Sequence, residues 1–225
     1  MTNTRAPVEV LHGQAEGAVR GIEGDFAMLE PMPAAPVARV WACVETAVVL
    51  GVSRDLAAEV DEAACTSRRV AVLRRASGGG TVVIGPGTLQ YAFALPHDAG
   101  PPSIDAVKRR CGLLVRDALA ASGVAASIDS DDSGDLHVGT RKVAGVALRR
   151  LRDATLLHGT LLVAADLGLI AALLRHPARE PAWRQGRPHL DFLANLGHFD
   201  ADVFLQSLRR ALERPPLTAG DRTRR

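Results

Sequence analysis

The feature that most constrains this chain is Arg74-Arg75-Ala76-Ser77-Gly78-Gly79-Gly80-Thr81, three consecutive glycines behind the apolar stretch Val70-Ala71-Val72-Leu73. Glycine loses more conformational freedom on folding than any other residue. Three in succession weaken a segment unless the backbone must bend tightly or lie close against something. Residues 70–75 therefore read as a short buried strand that runs into a bend. Backbone N–H groups in such a bend can converge on an anion, and the adjacent guanidinium groups would offset its charge. Two readings stay open on the residues alone: a phosphate- or nucleotide-binding bend, or a tight bulged hairpin turn with no ligand. The run is not a Walker loop, since no Gly-Lys-Ser/Thr follows, nor is it a Gly-x-Gly-x-x-Gly that opens a helix.

Hydrophobic periodicity places the other elements around the bend. Apolar residues at Val19, Ile22, Phe26 and Leu29 keep helical spacing over residues 17–32, and Pro31 and Pro33 close that segment. Residues 37–41 and 47–51 read as two buried strands, and residues 55–66 as one short helix. Residues 81–84 and 89–95 read as a strand pair separated by Gly85-Pro86-Gly87. The clearest helix follows Ser103, a capping residue. Ile104, Val107, Cys111, Leu114, Ala118 and Leu119 form one apolar stripe, and Gly123 stands where a C-terminal glycine belongs. Residues 136–138, 142–149 and 155–163 read as three strands joined by short turns, and residues 167–174 as a helix. A last helix opens at Asp200, carries Val203, Phe204, Leu208, Ala211 and Leu212 on one face, and stops at Pro215-Pro216. The pattern is α+β: a mixed, largely antiparallel sheet packed with helices.

Composition removes several classes of function. With 27 basic and 25 acidic residues well mixed, the net charge is +2, which provides no global field for nucleic acid or an anionic membrane. No apolar run reaches the roughly 18 residues of a membrane span, and the first ten residues lack the apolar core of a signal peptide. Cys43, Cys65 and Cys111 are far apart and form no Cys-x-x-Cys pair, so a reducing cytoplasm is expected and a disulfide framework is not. Cys111 lies on the helical stripe and reads as packing.

Three further stretches carry chemistry. In Gly139-Thr140-Arg141-Lys142-Val143-Ala144-Gly145 a turn leads into a strand, and alternation forces one of the two cations onto a face with apolar residues. Such a cation either snorkels to solvent or serves a site. His158 within Leu156-Leu157-His158-Gly159-Thr160-Leu161-Leu162 reads first as a hydrogen-bonded core residue. Asp129 to Asp135 opens like a calcium loop but has Thr140 at the twelfth position, so it reads as a solvated acidic loop. The spacing suggests no Ser-His-Asp or Cys-His relay and no metal-ligand set of histidines.

Together these stretches resemble the lipoate-protein ligase A family, which shares its catalytic fold with biotin protein ligases and octanoyltransferases. Arg74 through Val82 matches the family's Arg-Arg-x-Ser-Gly-Gly-Gly-x-Val. Asp135-Leu136 followed by Arg141 through Gly145 matches Asp-Leu, hairpin, Arg-Lys-Val-x-Gly. His158 through Leu162 matches His-Gly-Thr-Leu-Leu. Weaker likeness runs from Trp41 to Gly51 and through Pro188-His189-Leu190-Asp191-Phe192-Leu193, and order and spacing agree.

The resemblance implies a class II aminoacyl-tRNA synthetase/biotin synthetase-like catalytic domain over residues 1–215, with residues 216–225 a basic tail. It implies that ATP with Mg2+ activates lipoate, or a related medium-chain acid, as an acyl-adenylate. A lysine of a carrier protein then takes the acyl group. Lys142 would bridge the carboxylate and the α-phosphate as the catalytic residue. Arg75, Ser77, Gly78, Gly79, Gly80, Thr81, Val82 and Val83 would hold nucleotide and lipoyl tail, with Gly145, His158 and Gly159 beside them. Asp135 would align Lys142 or the metal. The implied partners are a lipoyl carrier domain of a 2-oxoacid dehydrogenase or the glycine cleavage H protein, and a separate small accessory protein. Two departures stand out: Ile84-Gly85 replaces a common His-Asp, and Gly51-Val52-Ser53-Arg54-Asp55 replaces Gly-Arg-x-x-Asn.

Three alternatives stand beside ligation. An octanoyltransferase or lipoyl amidotransferase works without ATP through a thiol, yet residues 123–140 contain no cysteine. Biotin ligation fits the first motif less well. A non-catalytic lipoate binder would have no need of Lys142.

Overall fold

The computed structural model describes residues 9–12, 16–97 and 100–213. In chain order the elements are β1 (Glu9–His12), α1 (Ala18–Ala27), β2 (Val37–Ala42), β3 (Ala47–Leu50), α2 (Leu56–Glu59) and α3 (Glu62–Ser67). Then come β4 (Ala71–Arg74), β5 (Val82–Ile84), β6 (Thr88–Pro96), α4 (Ile104–Ala121), β7 (Asp129–Ser130), β8 (Leu136–Val138) and β9 (Arg141–Arg150). β10 (Ala154–Leu162), α5 (Leu167–Leu173), α6 (His189–Phe192) and α7 (Ala201–Glu213) complete the order. Seven strands form one sheet in the order β1-β2-β6-β10-β9-β8-β7, and three form a second in the order β4-β3-β5. Among the described strands only β1–β2 and β3–β4 pair in parallel, so the expected mixed, largely antiparallel architecture is present.

Alternation along the central strands decides where the site lies. Successive side chains of a strand point to opposite faces. On β6, Tyr91, Phe93 and Leu95 join Leu157 and Leu161 of β10 in a core closed by Val107, Cys111 and Val115 of α4 and Phe204 and Leu208 of α7. The other face carries Gln90 and Ala92 from β6 and His158 and Thr160 from β10, and it looks toward α1 and the small sheet. Val48, Leu50 and Val83 of that small sheet pack in turn against Cys65 and the α5 residues Ile170 and Leu173. The apolar face thus anchors the large sheet to its helices, and the polar face is left for the site.

Local chemistry explains several element ends. Ser103 accepts from the Ala106 N–H and starts α4, as the sequence suggested. Residues 55–66 form two helices rather than one. Asp55 caps the first at Ala58 N, Asp61 caps the second at Ala64 N, and the extended Val60 between them bridges to Leu174. A second cap three residues into a new turn outcompetes a continuous helix.

Other expectations are corrected. β4 is an exposed edge strand, not a buried one. β5 and β6 do not pair with each other: β5 joins β3, whereas β6 runs between β2 and β10. Helix α1 buries Ala18, Gly21 and Asp25, while Val19 is 48% exposed. That small-residue face is what the Trp41 ring can lie against. The Pro215-Pro216 stop and the basic tail fall outside the described residues.

Candidate active site

A cavity of about 230 Å³ opens between the two sheets. Arg75, Gly80, Thr81, Val82 and Val83 border it from the glycine bend and β5, and Lys142, Gly145, His158 and Gly159 from β9 and β10. The motifs found in the sequence therefore converge on one space. Ser77, Gly78, Gly79 and Asp135 lie just behind the wall.

The bend is shaped by the two arginines before it. Arg75 is buried, and its Nε donates to Ser77 Oγ (2.9 Å), its Nη1 to Val49 O (3.1 Å), and its Nη2 to Gly78 O (2.8 Å) and Gly80 O (2.7 Å). Arg74 Nη1 donates to the carbonyls of Gly51, Val52 and Arg54. A guanidinium has only donors, so one that is buried must find acceptors within the protein. The sequence leaves open whether these cations face a bound anion or a ligand-free turn; in the structure their hydrogen bonds go to backbone carbonyls and Ser77, while Arg75 also borders the cavity. Burial lowers the Arg75 pKa to about 10, which keeps it charged at neutral pH. Gly79 adopts φ +92, and a Cβ there would come within 2.9 Å of Arg75 Nη2. The outer side of the bend is held by Arg54, whose Nε donates to Gly79 O (2.9 Å) while Nη1 pairs with Glu59 (3.1 Å). Glu59 also accepts from the Thr81 hydroxyl. Neither Arg54 nor Glu59 was singled out by the sequence.

Behind the bend the structure forms a Ser-His-Asp chain that the spacing did not reveal. Ser77 Oγ lies 2.6 Å from His158 Nε2, and His158 Nδ1 lies 3.2 Å from Asp25 Oδ2. A carboxylate only accepts, so a ring proton on Nδ1 satisfies the Asp25 contact, and with that tautomer the Ser77 hydroxyl donates to Nε2. The other Asp25 oxygen accepts from Arg39 Nη1 (2.6 Å) and Trp41 Nε1 (3.0 Å). Ser77 is fully buried, so this chain is no nucleophilic relay. It ties the glycine bend, β10, α1 and β2 into one unit.

Lys142 is the opposite case. Its Nζ donates to Asp135 Oδ2 at 2.5 Å, and no other hydrogen bond of its ammonium is formed among the described residues. The amine lies over Gly145, where a Cβ would stand 2.9 Å from Nζ. A side chain there would displace the amine from the cavity. Arg141, its neighbour, turns outward and donates to Leu190 O.

Residues 175–192 close the remaining side, with Arg175, Arg179, Arg184 and His189 bordering the cavity. Trp183 Nε1 fastens this strap to Asp131 Oδ2 (3.0 Å), and Arg187 Nη1 to Thr140 O (2.8 Å). Asp131 also accepts from the Ser133 and Asp135 N–H groups, so the acidic loop is an ordered turn that supports Asp135. Burial, followed by the charges of Arg184 and His176, lowers the His189 pKa to about 4.

Among the described residues no group of three or more His, Cys, Asp or Glu could hold a metal ion. No helix among them is long and apolar enough to cross a membrane.

Comparison with known proteins places this geometry. The chain is 31% identical over 176 residues to lipoate-protein ligase A of Psychrobacter cryohalolentis, covering 77% of this chain and 48% of the relative. It thus spans about half the length of that protein. A bi-partite lipoate protein ligase of Thermoplasma acidophilum, described with its E2 lipoyl domain, shares the fold at TM-score 0.75 and 21% identity, over 91% of this chain and 81% of that one. A lipoate-protein ligase A bound with ATP does so at TM-score 0.69 and 21% identity, over 92% and 84%. The model of the lipoyl protein ligase A/B catalytic domain matches residues 26–213, a span that holds every residue of the cavity wall except Ile22 and Asp25, and the chain belongs to that family.

Proposed function

We propose that the cavity activates lipoate, or a related medium-chain acid, with ATP and passes the acyl group to a lysine of a carrier domain. The observation that carries this reading is Lys142, a cation with one protein partner on the same cavity as the glycine bend. In the first step a carboxylate oxygen attacks the α-phosphorus, and the bond to pyrophosphate breaks. Negative charge builds on the phosphoryl oxygens, and a fixed ammonium in a partly dry space stabilises it. Asp135 holds the lysine in place, so the amine does not have to be oriented during the step. The Gly80 to Val83 backbone follows the ligands along the other wall. In the second step the carrier's lysine amine attacks the acyl carbon, AMP leaves with the bonding electrons, and the amine loses a proton.

Mg2+ commonly rides on nucleotide phosphates with one or two protein carboxylates. Asp135, whose Oδ2 is held by Lys142, would have its other oxygen, Oδ1, to offer such an ion. The metal would offset phosphate charge. The partner is proposed to be a lipoyl carrier domain of a 2-oxoacid dehydrogenase or the H protein, with a small accessory protein as a second partner. The resemblance of the fold to a bi-partite ligase supports that reading. Transfer through a thiol has less support, because Cys43, Cys65 and Cys111 are all buried and none borders the cavity.

The test is lipoate-dependent exchange of labelled pyrophosphate into ATP on the purified chain, alone and with a candidate accessory protein. Exchange is expected. Its absence with any C6–C10 acid, together with acyl transfer from a carrier thioester in the absence of ATP, would replace ligation by transfer.

A further inference from the structure

Strand register lays out the cavity wall. Trp41 of β2 faces Gln90 of β6, Gln90 faces Thr160 of β10, and Thr160 faces Gly145 of β9. These four positions form one rung across the sheet, and the Lys142 amine lies over its Gly145 end. Neighbouring strands are about 4.8 Å apart, so Gln90 stands about 10 Å from that end. An extended eight-carbon chain, whose seven bonds of about 1.5 Å each advance about 1.25 Å along the zigzag, reaches about 9 Å, close to that span. On the reading proposed above, an acid with its carboxylate at Lys142 lays its far end against Gln90 and Trp41.

Both residues are fixed by neighbours. Gln90 is 4% exposed; its Oε1 accepts from Thr160 Oγ1 (2.5 Å), and its Nε2 donates to Thr88 Oγ1 (2.7 Å). Thr88 gives its own proton to Gly85 O (2.7 Å), so it is an acceptor toward Gln90 and the amide orientation is set. A primary amide has two N–H donors. The second one on Gln90 has no acceptor among the described residues, and Gln90 borders the cavity. Trp41 has its N–H occupied by Asp25 and its ring against Gly21 of α1 and the Arg39 guanidinium, and it also borders the cavity. Asp25 is itself matched by Arg39, so this end offers an amide donor and an aromatic ring without a free charge.

We propose that Gln90 sets tail selectivity, favouring an acid that ends in a polarisable, weakly accepting group such as a cyclic disulfide over one that ends in a methyl group. Sulfur accepts a weak hydrogen bond and packs favourably beside aromatic rings. A methyl terminus leaves the buried N–H unpaired.

Calorimetric dissociation constants for lipoate and octanoate test this on wild type, Gln90→Leu and Thr160→Val. Wild type should prefer lipoate by about tenfold, Gln90→Leu by about twofold or less, and Thr160→Val, which frees the amide to turn, by an intermediate factor. The ratio comes from one protein sample, so a loss of folded fraction cancels. An unchanged ratio in Gln90→Leu, or equal affinities in wild type, overturns the proposal. A folded wild type that binds neither acid overturns the ligase reading itself, and the selectivity role falls with it.

Discussion

Lys142 and His158 stand on strands that are consecutive in the chain and adjacent in the sheet, yet they reach the cavity under different constraints. Lys142 has one partner, Asp135, and its side chain is 23% exposed. His158 is 9% exposed with both ring nitrogens engaged, in a chain that runs from Arg75 through Ser77 to Asp25 and on to Arg39 and Trp41. The saturated end has no spare donor for a ligand and gives shape to the wall. The sparsely held end keeps ammonium protons for a ligand and can respond to charge. Function in this site goes with incomplete satisfaction, and architecture with complete satisfaction.

The largest expected effect breaks the saturated end. Asp25→Ala leaves Arg39, Trp41 and His158 without their shared acceptor, and removing one member of a buried ion pair costs about 3 kcal/mol or more. Chemical denaturation should show that loss, with exchange activity falling only in step with the folded fraction. If Asp25→Ala abolished exchange while folding fully, the buried chain would belong to the chemistry. A smaller effect belongs to the strap. Trp183→Phe keeps the ring stacked on Phe192 but removes the donor to Asp131, at about 1 kcal/mol of stability. The loss should appear in the melting temperature and as a higher KM for ATP, with kcat changed less than KM.

Smallest near neutral pH, and growing only as the solution is acidified, is the effect of His189. Its folded pKa of about 4 lies below the 6.5 of the free side chain. Between these values the unfolded chain binds more protons than the folded one, so stability declines as pH falls from 6.5 toward 4. His189→Gln should flatten that part of the stability profile, which denaturation at pH 7, 5.5 and 4.5 would show.

How much of this was legible follows the same division. Lys142, Gly145 and His158 belong to ordered motifs, and those motifs do meet on one cavity. The helical stripe of α4 and the alternation in β6 and β10 are patterns of burial, which a sequence displays directly. Asp25 was invisible because nothing local marks it: it lies 133 residues from His158, and the pairing exists only after α1 packs onto the sheet. The separation of β5 from β6 was hidden for a similar reason. Both flanks of Gly85-Pro86-Gly87 are apolar, and a turn signal does not say which sheet each strand joins. Arg74 and Arg75 looked like free charge because a sequence does not show which cations are buried among carbonyls.

The central claim concerns Lys142, and the most direct measurement is lipoate-dependent ATP–pyrophosphate exchange in Lys142→Ala against wild type, at matched melting temperature. A loss of at least about 100-fold is expected, the scale of one charge contact made to the transition state. Exchange at the wild-type rate in the variant would contradict the assignment of the reaction to this lysine.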